Sequence, residues 1–124
     1  MQWIISNDLP VHNQLVEELK LRIFLNFYRA GEKMPSVRDL SFEAKVNPNT
    51  MQKALTKLEE EGYMYTERTS GRYITQDSAL IKRLKAVLPH TVTEKYVQAM
   101  IDSGIEAADI PAYVQNYVER MKKS

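Results

Sequence analysis

The residues best suited to chemistry with a partner lie in VNPNTMQK, residues 46–53. Asparagine and glutamine carry a donor beside an acceptor and can pair bidentately with adenine. Lysine reaches guanine or a phosphate, and threonine donates, accepts or touches a thymine methyl. Asn49, Thr50, Gln52 and Lys53 supply that set. Met51, Ala54, Leu55 and Leu58 recur at helical spacing, so they claim the inner face and leave the four polar residues to point outward or sideways. Asn47 can cap this helix, and Pro48 fits its first position, where a missing N–H costs nothing. The start of the polar face is thereby fixed tightly, as it must be if a first turn is to be aimed. Polar residues on an outer helix face are also ordinary solvated surface, so the neighbouring elements decide between the two readings.

Other chemistry finds little support. His12 and His90 are the only histidines, neither has a second histidine four residues away, and there is no cysteine, so no metal centre follows from spacing. Ser, Asp and His occur without a Gly-x-Ser-x-Gly turn to expose a nucleophile. The four glycines are isolated, which excludes the usual phosphate loops. No cofactor and no enzymatic activity are expected.

The polar face must be positioned by the elements around it. Apolar residues from Val11 to Phe27 keep a period near 3.6 after Pro10, which predicts a long amphipathic helix ended by Ala30–Gly31. Met34–Pro35 predicts an extended connector. Ser36-x-x-Asp39 is a capping box for a short second helix carrying Val37, Leu40 and Ala44, broken at Lys45–Val46. The Asn49–Glu61 helix comes next and ends at Gly62. Two short strands, about Met64–Arg68 and Arg72–Thr75, are expected around a turn at Thr69–Gly71. From Ser78, three further helices are expected. The first carries Leu80, Ile81, Leu84, Val87 and Leu88 and stops at Pro89. The second opens on a Thr91-x-x-Glu94 capping box and closes at Gly104. The third holds Ile110, Val114, Tyr117, Val118 and Met121, with Pro111 near its start. Three helices and a hairpin, with a very short turn between the second and third helices, are a helix-turn-helix followed by a wing. In such a unit the third helix enters the DNA major groove.

The 124 residues, 44% hydrophobic, suffice for one domain or a small domain plus an accessory piece. MQWIISNDLP lacks a basic segment followed by a long apolar run, so it is not expected to act as a secretory signal, and no run approaches the roughly 18 apolar residues of a membrane span. A cytoplasmic chain with no membrane partner is expected. Net charge is only +1. Lys33, Arg38, Lys45, Lys53 and Lys57 nevertheless face only Asp39 and Glu43 in residues 33–57, whereas Glu59, Glu60, Glu61 and Glu67 precede Arg68 with no base among them. That partition would give opposite potentials if the fold separates the blocks. Glu59–Glu60–Glu61 reads as a solvated helix end.

The run PSVRDLSFEAKVNPNTMQKALTKLEEEGYMYTERTSGRYI resembles the winged-helix domain of GntR-type bacterial transcription regulators. The resemblance begins at LPVHNQLVEELKLRI and reaches about Gln76, and the short helical tail most resembles the YtrA-type subfamily. It implies a mostly α fold with a small β-hairpin wing: a winged helix-turn-helix DNA-binding domain over residues 1–76 and a helical dimerisation region over 77–124. It implies that Ser36 caps the second helix beside a phosphate and that Arg38 lies against DNA. Asn47, Asn49, Thr50 and Gln52 match contact positions, and Lys53 sits where the subfamily often has arginine. Ser70, Gly71 and Arg72 match the wing tip. The wing and the turn after the first helix depart from the pattern. Glu67 replaces a base of the usual basic pair, and Thr69–Ser70–Gly71 keeps one glycine of Gly-x-Gly. Phe27–Tyr28–Arg29 also replaces a small-residue turn.

In the tail, Tyr96, Tyr113 and Tyr117 with Met100 and Met121 suit either an interface or internal packing. The resemblance favours a homodimer through these helices. It implies a sequence-specific transcription regulator, a repressor of an inverted-repeat operator in double-stranded DNA, with an unknown small-molecule effector left open. The competing reading is a winged-helix protein-interaction module that never reads DNA.

Overall fold

The computed structural model of the chain describes residues 2–123. It contains α1 (Val11–Phe24), α2 (Val37–Ala44), α3 (Pro48–Glu60), β1 (Met64–Glu67), β2 (Gly71–Ile74), α4 (Ser78–Asp102), a single 3₁₀ turn (Ala107–Asp109) and α5 (Ile110–Lys122). The chain divides into two compact units, one ending at Lys85 and one beginning at Ala86.

In the first unit α3 is the central element. Its apolar stripe, Met51, Ala54, Leu55 and Leu58, is completely buried, as the spacing predicts. Leu15, Val16, Leu19 and Ile23 of α1 and Leu40 and Ala44 of α2 are buried as well, and α3 packs on both helices. Burial of each large aliphatic side chain is worth about 1.5–3 kcal/mol, so this stripe fixes the rotation of α3 about its own axis. Ser36 Oγ accepts from the Asp39 N–H at 3.1 Å and starts α2. Lys45, in the left-handed region at φ 58°, ends it.

The hairpin pairs Met64 with Ile74 through Glu67 with Gly71 in antiparallel register. It is extended by the connector before α2. Lys33 bridges to Tyr73, the Met34 N–H donates to Arg72 O at 2.8 Å, and the Ile74 N–H donates to Glu32 O at 2.9 Å. Residues 31–34 thus strap the wing to the entrance of the helix-turn-helix.

The first helix is shorter than its periodicity predicts. It ends at Phe24, with Asn26 in the left-handed region at φ 66°, so Ala30–Gly31 is not its terminator. Asparagine tolerates that conformation, and the turn frees Phe27 and Tyr28 to fold back. Tyr28 is buried and its hydroxyl accepts from Arg22 Nη1 at 3.3 Å. Arg22 is only 1% exposed. Its guanidinium lies 3.8 Å from the Trp3 ring centroid and its Nε donates to Glu18 Oε1 at 3.2 Å. Trp3, Phe27 and Tyr28 therefore gather their rings around a buried cation.

The tail differs more. Two helices separated at Pro89 are expected, but α4 runs unbroken from Ser78 to Asp102 with Pro89 inside it. Thr91 is not an N-cap: its hydroxyl donates back to Val87 O at 3.3 Å, and that of Thr93 donates to Pro89 O at 2.7 Å. An interior proline removes one N–H and crowds the carbonyl four residues earlier, costing about 3 kcal/mol. Ending the helix there would orphan several carbonyls and N–H groups and require a second nucleation, which outweighs one lost bond. Gly104, at φ +90°, follows the end of α4, and Pro111 sits in the first turn of α5, both as expected. The second unit buries few large apolar side chains: Leu88 and Ile110 are within, and every described residue of α5 after Ile110 is exposed.

Candidate DNA-binding surface

The start of α3 is built by Asn47 and Pro48. Asn47 Oδ1 accepts from the Asn49 N–H at 2.8 Å, so this side chain is committed as a cap. Asn49, Gln52 and Lys53 are exposed on the outer face and Thr50 is half-buried. Gln52 Nε2 donates to Thr56 Oγ1 at 3.2 Å, which leans the amide along the helix toward its third turn. Arg38 is exposed in the first turn of α2, whose Leu40, Ser41 and Ala44 are buried.

Two grooves gather these residues differently. One, of about 360 Å³, is lined by Lys33, Pro35, Ser36, Thr66, Ser70, Gly71 and Arg72 among others, so the capping serine of α2 and the wing-tip residues share a cleft. The second, of about 290 Å³, joins Gln52 and Lys53 to His12, Thr56, Lys57 and Glu60. Asn47, Asn49, Thr50 and Arg38 line neither of these two. Lys33, Thr56, Lys57 and His12 were not singled out by the sequence as site residues. Lys33 and Lys57 carried a signal in the basic block; His12 carried none, because it stands far from α3 along the chain.

The wing tip is ordered by side chains as well as by the ladder. Tyr73 Oη donates to Ser70 Oγ at 2.8 Å, and the Tyr65 and Tyr73 rings stack with centroids 5.7 Å apart. Gly71 has φ +124°, a conformation L side chains rarely adopt, and a Cβ there would lie 3.2 Å from Lys33 Cε. Arg72 is tied down. Its Nε donates to Glu59 Oε1 at 2.7 Å, and the Thr66 hydroxyl donates to the same oxygen. Burial alone would raise the Glu59 pKa, but the Thr66 hydroxyl and the Arg72 guanidinium outweigh it and hold the carboxyl below its ordinary value. Glu59 is therefore no solvated helix end; it locks the end of α3 to both strands of the wing. Glu61 is engaged too, with Lys20 Nζ at 3.1 Å.

The described helices include none long and apolar enough to cross a membrane. The model of the bacterial regulatory proteins of the gntR family matches residues 2–74. An uncharacterised HTH-type transcriptional regulator, YhcF of Bacillus subtilis, is 28% identical over 92% of this chain and 94% of its own length. The HTH-type transcriptional repressor YtrA of Bacillus subtilis is 36% identical over 58% of this chain, which is 55% of that protein. Among solved structures, a GntR family transcriptional regulator from Listeria monocytogenes superposes with a TM-score of 0.73 at 34% identity, covering 90% of this chain and 98% of that one. The DNA-binding domain of AraR in complex with operator ORX1 gives 0.52 at 25% identity, over 60% of this chain and 92% of that one. A capped reading helix, a strapped wing and these likenesses agree: the chain belongs to the gntR family of bacterial regulatory proteins and is a winged-helix, DNA-binding transcription regulator.

Proposed function

We propose that the chain is a YtrA-type homodimeric repressor that acts in the cytoplasm on an inverted-repeat operator. The observation that carries this reading is the outer surface of α5. Tyr113, Val114, Tyr117, Val118 and Met121 form one stripe and are between 40 and 59% exposed. A groove of about 390 Å³ is lined by Tyr113, Val114 and Tyr117 of this stripe and by Tyr96 and Met100 of α4, with Arg120 its one charged side chain. A unit with so little buried apolar surface cannot offset the entropy of ordering its own helices, and a second copy supplies the missing burial. A two-fold pair would set two α3 helices about 34 Å apart, one turn of DNA, and so favour a palindromic site. Repression accords with the description of YtrA as a repressor, and operator reading accords with the AraR complex.

In this reading Arg38, Ser36 and the wing tip position the protein on phosphates. Asn49, Thr50, Gln52 and Lys53 meet base edges, and Asn47 acts by aiming the helix that carries them. The residue 1–76 region is the reader and 77–124 the dimerisation region, with α4 rooted in the reader through Leu80, whose Cδ2 would lie 3.3 Å from a Cβ on Gly62. The test is selection of random duplexes by the full chain, with light scattering of the complex. An enriched inverted repeat bound by two chains, with affinity falling steeply in salt, is expected. A monomer, or the absence of any enriched sequence with a stable protein partner recovered instead, would overturn it.

A further inference from the structure

We infer that the groove between the start of α1 and the outer face of α3 seats a backbone phosphate of the operator and that His12 makes this seat pH-sensitive. The inference rests on the DNA-reading function above. His12 is the second residue of α1 and is half-buried. It lines the groove together with Lys53 and Lys57, which lie four residues apart on one face of α3. The charged groups facing it are those two ammonium groups, which repel an imidazolium, and Glu60, which attracts one. Two lysines and a histidine against one carboxylate give the groove a basic lining that suits an anion. Gln52 and Lys53 line the same groove and also belong to the reading face. A phosphate seated there therefore belongs to a strand flanking the bases that α3 reads. Histidine is the side chain whose charge changes between about pH 5 and 8, so a phosphate beside it binds better to the protonated form. Lysine in the same place would give affinity without pH dependence.

The experiment measures full-chain affinity for the selected duplex by fluorescence anisotropy, at constant ionic strength, from about pH 8 to about pH 6. Wild type is expected to gain roughly three- to tenfold in affinity on acidification, a gain of the size one added charge contact gives. His12→Gln should abolish that gain. Lys57→Gln, at an exposed position, should lower the slope of log affinity against log salt by about 0.9. His90→Gln should leave the pH profile unchanged. An unchanged profile in His12→Gln, or an unchanged salt slope in Lys57→Gln, would overturn the inference and leave the DNA-reading function standing. Failure to select any duplex would overturn both. A single neutral methylphosphonate placed opposite the groove should remove the pH dependence; its persistence would assign the effect elsewhere and reject the seat.

Discussion

Glu59→Gln, Arg72→Gln and the double variant form a cycle that tests the lock between α3 and the wing. The Nε–Oε1 separation is 2.7 Å and the two side chains, arginine and glutamate, are 17% and 28% exposed. Exposed ion pairs contribute about 0.2–1 kcal/mol, and hydrogen bonds to charged groups about 1.5–3 kcal/mol when shielded. Partial exposure discounts the second figure toward the first, so a coupling of about 1 kcal/mol is expected at pH 7. For a unit of this length that corresponds to a Tm change of about 4–8 °C. Urea unfolding of the four proteins measures the coupling directly, because the cycle removes the cost of leaving one partner alone. The pH dependence follows from the lowered Glu59 pKa. The contribution is complete above the unfolded carboxyl value of about 4.3 and is lost as pH falls through the lower folded value. The coupling should therefore shrink toward zero in acid. A coupling below about 0.3 kcal/mol at neutral pH, within ordinary additivity error, would refute the reasoning. So would one that survives undiminished in acid.

Arg38→Ala and Lys53→Ala should each weaken operator binding by roughly tenfold while leaving melting temperature and helical content intact; a loss of either would undo their placement at the DNA. Asn47→Ala should cost about 1 kcal/mol in urea unfolding through the lost cap, and Asn47→Ser should recover most of it. Tyr117→Glu should convert the chain to monomers in sedimentation and lower affinity for the inverted repeat, without reducing the stability of the winged-helix unit. Gly71→Ala should destabilise by about 1 kcal/mol or more in the same urea measurement, because its φ of +124° is strained for alanine whatever space Lys33 yields.

The elements that local chemistry writes were legible in the sequence. Ser36 and Asn47 cap helices because each places a side-chain oxygen just ahead of a helix-forming run, and the Met51–Leu58 stripe needs only helical spacing to be assigned to the core. The features that escaped depend on residues that meet only in the fold. Glu59 reads as one of three solvated acids until Thr66 and Arg72 are seen on the same oxygen. His12 offers no local partner at all. Pro89 misleads in the other direction: it is a strong stop signal locally, and it loses because breaking the helix there would cost more than the single defect. The Asn26 turn and the role of Tyr28 are not legible in local spacing, because both serve the burial of Arg22.

The strap formed by residues 31–34 also has a consequence in time. A two-stranded hairpin is marginal in water by itself, and this one gains its third edge from a segment that precedes α2. The bridge from Lys33 to Tyr73 closes a loop containing both helices of the reading motif. Non-local pairing of that kind is slow, because the closure entropy must be met before the ladder forms. The wing is therefore expected to complete only after α2 and α3 have docked on α1, and to open with them. In native-state hydrogen exchange the amides of Met34 and Ile74, which donate across the strap, should exchange at the rate of buried α3 amides, while the amides at the wing turn exchange far faster.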